Sequence, residues 1–191
     1  PGWVTGLGGR PLPTVRVRDT DPDDVAKAIE AAGGDVVVTS GGLGGGPKDL
    51  MVPALAALGA ELVVDRVDCR PGGPQRLGLL PDGRPVVGLP GYPYAALVGV
   101  LTLLGPLLAG MTGRPLPDLP TARLVGGAPS VGSRPHPPGR PAPAPTRILP
   151  VRRRPDGSVE SVGLDRPGSL WGAALADAFA VVPPHWQDDP V

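Results

Sequence analysis

One segment limits the folds open to this chain more than any other. Asp35-Val-Val-Val-Thr39 is a β-branched apolar run, and Ser40-Gly-Gly-Leu-Gly-Gly-Gly-Pro47 follows it. Residues 50–58 then place apolar side chains at helical spacing, although Pro53 blurs where that helix starts. Strand, glycine loop and helix in this order form the unit from which α/β sheets are built. The run is apolar throughout rather than alternating, which predicts a strand buried on both faces.

Other segments repeat the alternation. Residues 22–32 read as a helix, with Asp21 as N-cap, Pro22 in the first turn and Gly33-Gly34 as the stop. Residues 13–18, 61–65 and 84–89 read as strands, and residues 3–7 as the tail of a helix. Residues 94–109 form an apolar helix inside an uncharged stretch, residues 85–113. That helix is shorter than the ~20 residues of a membrane span and holds Gly99, Gly105 and Pro106, so it reads as a core helix. The pattern predicts an α/β domain with a mostly parallel sheet over residues 1–116. Residues 117–191 read as a smaller β-rich domain. In it, residues 146–153 and 158–162 form a hairpin about Asp156-Gly157, and residues 178–182 a last strand.

Composition narrows the partners. The 30 glycines and 29 prolines make up nearly a third of the 191 residues, a level at which disorder is suspected. Apolar residues reach 41% and the formal net charge is zero, which argues against disorder for most of the chain. Residues 129–145 hold the densest Gly/Pro cluster outside the loops and read as a weakly ordered insertion. Zero net charge removes the electrostatic footprint of a nucleic-acid binder, and Arg152-Arg153-Arg154 reads as a solvated strand end. A single cysteine, Cys69, forms no internal disulfide, and two histidines in Pro-rich surroundings make a poor zinc site.

Three loops could carry chemistry. Glycines let backbone N–H groups approach an anion, and a following helix offers its positive end. Residues 40–47 lack the Gly-Lys-Ser/Thr ending of a nucleotide P-loop, since Pro47-Lys48-Asp49 stands there instead. Spacing alone leaves phosphate binding and a plain tight turn equally open. Asp49 at a helix start is a cap more often than a ligand, yet beside a phosphate loop it could hold Mg2+. Leu89-Pro-Gly-Tyr-Pro93 ends another strand, and Arg70-Pro-Gly-Gly-Pro74 could add a cation at the rim. In an open sheet, loops at strand carboxyl ends are where ligands bind.

Taken together, these segments resemble the C-terminal half of molybdopterin molybdenumtransferase, the MoeA family. The resemblance rests on Asp35 through Asp49, on Arg70-Pro-Gly-Gly-Pro74 and on Gly88-Leu-Pro-Gly-Tyr-Pro93, in that order, and extends to Thr146-Arg-Ile-Leu-Pro-Val and residues 173–183. It implies a three-layer αβα domain of the molybdopterin-binding type followed by a small β-barrel-like domain. It implies molybdenum cofactor biosynthesis, in which molybdate enters adenylylated molybdopterin, AMP is released and Mg2+ assists. Ser40, Gly41, Gly42 and Gly44 would line the phosphate or pterin loop, with Arg70, Pro90, Gly91 and Pro93 also binding. Asp49 would be a catalytic or metal-holding carboxylate, and Asp19 or Asp21 a second acid. The family further implies a cytoplasmic homodimer, a molybdopterin adenylyltransferase as partner, and no nucleic acid or membrane. The chain starts after the family's Thr-Gly-Asp-Glu strand, and it departs from the family pattern at Gly44-Gly45-Gly46, Gly73 and Tyr92. A non-catalytic pterin-binding module and a CinA-type nucleotide pyrophosphatase are the competing readings. The Arg-Pro-Gly-Gly-Pro segment and the β-rich tail favour MoeA over the latter.

Overall fold

The computed structural model describes residues 2–18, 20–44, 49–127, 145–163, 166–184 and 186. In chain order the elements are α1 (Gly2–Gly6), α2 (Pro22–Ala31), β1 (Val37–Ser40), α3 (Met51–Ala57), β2 (Glu61–Val64), β3 (Cys69–Arg70), β4 (Arg76–Leu79) and β5 (Pro85–Leu89). After these come α4 (Pro93–Gly99), a π-helical turn (Val100–Leu104), α5 (Gly105–Met111), β6 (Leu124–Val125), β7 (Thr146–Arg153), β8 (Val159–Ser161), α6 (Trp171–Leu175) and β9 (Ala178–Val182). They fall into two units. The first holds Pro1–Val67 and Gly72–Pro117, the second Asp68–Pro71 and Asp118–Val191.

The first unit is an α/β/α sandwich. Its sheet runs β1-β5-β4-β2, and β5 is buried along its whole length. Successive β5 side chains point to opposite faces. Val86 joins Ile29 of α2, Met51 and Leu55 of α3, Val37, Leu43 and Leu80 on one side. Val87 and Leu89 join Val100 and Leu104 on the other, with Val4 and Leu7 packed alongside. Helix α2 forms where the sequence places it, with Asp21 accepting a hydrogen bond from the Asp23 N–H at 2.9 Å and Pro22 in the first turn.

The α/β class stands, but the sheet is mixed rather than mostly parallel. Among the described residues of this sheet, β1–β5 is the parallel pair, while β5–β4 and β4–β2 are antiparallel. A parallel pair needs a long crossover, and the link from β4 to β5 is a tight turn about Asp82-Gly83, with Gly83 at φ 86°. Residues 13–18 form no strand. Val15 is 75% exposed there, because a β-prone run gains nothing from extension without a neighbour to pair with. Strand β1 is also less buried than its apolar run suggests, since it lies at a sheet edge and leaves Val38 40% exposed.

The apolar helix runs without a break through Pro93–Met111. By length and composition it could cross a membrane, and half of its apolar window is buried inside the protein. Pro106 has no N–H to donate, and the helix takes one wide turn just before it, with Gly105 N–H reaching back to the Val100 carbonyl.

The second unit is a five-stranded sheet around Leu124, Leu149, Val151, Val159, Ala180 and Val182. The long strand β7 pairs with β9 and β8 antiparallel and with β3 in parallel. The β7–β8 turn is held by Asp156, whose carboxylate accepts from Ser158 Oγ at 2.6 Å and Ser158 N–H at 3.0 Å. Those two donors hold its carboxyl below the usual range. Among the described residues the pairings form an open path, not a closed barrel. Most of the insertion at residues 129–145 lies outside the described residues.

Gly72 is a backbone position that tolerates no side chain. Its φ is 101°, and an added Cβ would sit 2.9 Å from Val98 Cγ1 and 3.2 Å from the Ala95 carbonyl. Gly72→Ala is expected to cost about 1–3 kcal/mol, read as a lowered urea midpoint at unchanged slope.

Candidate functional site

The parallel register sets Ser40 beside Leu89, so the carboxyl ends of β1 and β5 open side by side. Two loops leave from there and touch at once. Gly41 N–H donates to the Leu89 carbonyl at 3.0 Å, and Ser40 Oγ donates to the Pro90 carbonyl at 3.4 Å. A Cβ on Gly91 would lie 3.4 Å from Gly41 Cα, so the two glycines let the backbones approach closely.

Gly41 and Gly42 both have positive φ, 99° and 68°. Side-chain-bearing residues are strained there. The turn they make points Leu43 back into the core, where it is 4% exposed and packs over Gly88. The loop is tied again at its far end, where Leu50 N–H donates to the Gly42 carbonyl at 3.1 Å. Among the described residues, the N–H groups of Gly42, Leu43 and Gly44 donate to no backbone carbonyl. A backbone pinned at both ends, with donors left over at strand carboxyl ends, suits an anionic group.

Asp49 follows this loop, and α3 begins only after Leu50, which caps it without a side-chain hydrogen bond. The N-cap position of α3 is therefore Leu50 and not Asp49. Asp49 Oδ2 lies 2.9 Å from Arg76 Nη1, with the two side chains 10% and 5% exposed. Arg76 Nε reaches Asp65 Oδ1 at 2.9 Å, where the acid is 61% exposed. Arg76 opens β4 opposite Gly88 of β5. A Cβ at Gly88 would lie 3.6 Å from Arg76 Cβ and 3.2 Å from Leu43 Cδ2, so Gly88 leaves room for both residues to pack over β5.

Sequence reasoning missed Arg76. The available signal was its phase. Arg76 and Gly78 alternate with Leu77, and Gly78 packs against Leu55 of α3, so residue 76 points into the same layer.

The remaining residues are dispersed. Pro90 is buried at the loop root, Gly91 and Pro93 are exposed, and Gly44 faces open space. Tyr92 is 66% exposed at the start of α4. The Asp21 carboxylate caps α2, and Asp19 lies outside the described residues. Arg70 is on β3 in the second unit, paired with Arg147 of β7. In the arginine run, Arg154 bonds Glu160 at 3.0 Å and Arg153 N–H donates to Asp177, so these residues brace their own sheet.

The donor set does not suit Mg2+ on Asp49. Mg2+ is held by carboxylates and phosphates with several waters kept. Here the carboxylate is nearly buried and already faces a guanidinium. Among the described residues no three His, Cys, Asp or Glu side chains converge to hold a metal.

Two sets of substitutions test this geometry. Gly41→Ala is expected to cost about 1–3 kcal/mol, whereas Gly44→Ala in open space is expected to be near neutral by thermal melting. Arg76→Met leaves Asp49 buried beside no guanidinium and is expected to cost about 3–5 kcal/mol. Asp65→Asn, at the exposed end, is expected to cost about 1 kcal/mol or less in the same urea titration.

Comparison with known proteins bears on the family and the fold. Residues 2–110 match the sequence family described as "Probable molybdopterin binding domain". A molybdopterin molybdenumtransferase of Nostoc sp. is 36% identical over 93 residues, covering 48% of this chain and 21% of that protein. Molybdopterin molybdenumtransferase 1 of Mycobacterium tuberculosis is 33% identical over 125 residues, covering 63% of this chain and 29% of that protein. The crystal structure of a molybdopterin biosynthesis MoeA protein from Pyrococcus horikosii superposes with a TM-score of 0.71 at 29% identity, over 95% of this chain and 41% of that one. The chain thus spans less than a third of the length of these two curated relatives.

Proposed function

Since the chain belongs to the molybdopterin-binding domain family, we propose that it binds the phosphate-bearing end of molybdopterin in the loop after β1. In this reading it serves molybdenum cofactor biosynthesis in the cytoplasm. Adenylylated molybdopterin and molybdate are the substrates, and AMP is a product. The observation that carries the reading is the pinned Gly41-Gly42 turn at the carboxyl ends of β1 and β5, where, among the described residues, the N–H groups of Gly42, Leu43 and Gly44 have no backbone acceptor.

Each residue then has a stated task. The glycine turn contributes fixed donors that need no reorganisation when a phosphate arrives. Ser40 holds the Pro90 carbonyl and so keeps the second loop against the first. Pro90, Gly91 and Pro93 shape the wall on which molybdate would be presented. Tyr92 supplies an exposed ring at the mouth that can stack on the flat pterin. Arg70, the second acid at Asp19 or Asp21, homodimer formation and an adenylyltransferase partner remain parts of the proposal.

A second reading is favoured by one observation. The Asp49 carboxylate faces Arg76 at 2.9 Å, so a substrate or cation would have to compete with a guanidinium for it. Such a chain would bind pterin without turning it over. Titration with adenylylated molybdopterin, followed by addition of molybdate, separates the readings. Saturable binding that weakens about tenfold in Gly41→Ala, together with molybdate-dependent AMP release, is the expected result. Binding without AMP release selects the second reading, and absence of binding removes both.

A further inference from the structure

We infer that Arg76 is a built-in counter-ion that takes the place of a divalent cation at Asp49. The inference refines the proposed pterin site but stands on geometry that needs no pterin. Arg76 Nη1 lies 2.9 Å from Asp49 Oδ2, a direct ion pair, and the two side chains are 5% and 10% exposed. A hydrated Mg2+ would have to displace the guanidinium or crowd against it, and like charges in so dry a place repel strongly. Arginine keeps its proton at any working pH, so the positive charge is permanent.

Three features hold Arg76 in this position. Its backbone is locked in β4 opposite Gly88. The missing side chain at Gly88 leaves space for its stem. Its Nε is bonded to Asp65 at 2.9 Å, which fixes the plane of the guanidinium while Nη1 meets Asp49. A planar group that meets two carboxylates from fixed positions suits arginine better than lysine. The pair also ties the exit of the glycine loop to the sheet, because Asp49 directly precedes Leu50, whose N–H bonds Gly42. The site therefore carries its compensating charge within the fold, and anion binding in the loop proceeds without a metal on Asp49.

The probe is Mn2+ alone, a paramagnetic stand-in for Mg2+, titrated into the whole chain and followed by electron paramagnetic resonance. The wild type and Asp49→Asn are expected to give the same Mn2+ isotherm. Arg76→Met is expected to gain a site at least about tenfold tighter than any in the wild type. Arg76→Met/Asp49→Asn is expected to lose it again. A wild-type Mn2+ site that Asp49→Asn abolishes would overturn the inference, as would a folded Arg76→Met that binds no better than the wild type. If circular dichroism shows Arg76→Met to be unfolded, the wild-type and Asp49→Asn isotherms decide alone. Neither arm contains pterin, so failure here leaves the pterin titration untouched, and failure of that titration leaves this result standing.

Discussion

The burial of β5 is the constraint on which the first unit depends. Its five residues are all buried, and Val86 joins one helical layer while Val87 and Leu89 join the other. Each layer thus packs against the same strand, and apolar burial on both faces is the dominant stabilising term. The same strand ends at Leu89, whose carbonyl receives Gly41 N–H. Stability and site geometry are therefore coupled through one residue. The buried strand terminates where the two loops begin.

Gly88 shows how closely the two are linked. It belongs to the core strand, yet what it provides is space. Leu43 from the glycine loop and the stem of Arg76 from β4 both pack over it. A larger residue there would push the loop anchor and the buried cation apart. Leu43, the ion pair and the sheet form one packed cluster.

Much of this was legible in the sequence, and what was not has a physical reason. Helix α2 announced itself through Asp21, Pro22 and a 3.6-residue stripe, because local capping and periodicity decide it. The strand–glycine loop–helix unit and the hairpin at Asp156-Gly157 were equally local. Strand β4 was missed because Arg76-Leu-Gly-Leu79 offers an arginine and a glycine where strand propensity expects β-branched residues. Its pairing is decided by the Asp82-Gly83 turn and by β5, which lie downstream. Residues 13–18 erred the other way, since Val15 and Val17 have strand propensity but no neighbour among the described residues. At the site, the glycine loop was recognisable from its composition. The state of Asp49 was not, since its partner lies far along the chain on an element the pattern did not reveal.

Strand β3 has a consequence for how the chain is assembled. Cys69 and Arg70 belong to the second unit, yet they are synthesised in the middle of the first. They find their neighbours only when Thr146 and Arg147 have been made. The two units are interleaved along the polypeptide, so no single cut separates them into self-sufficient halves. A gene fusion, split or domain exchange drawn at the visible boundary near Pro117 would carry β7 away from one of its own edge strands.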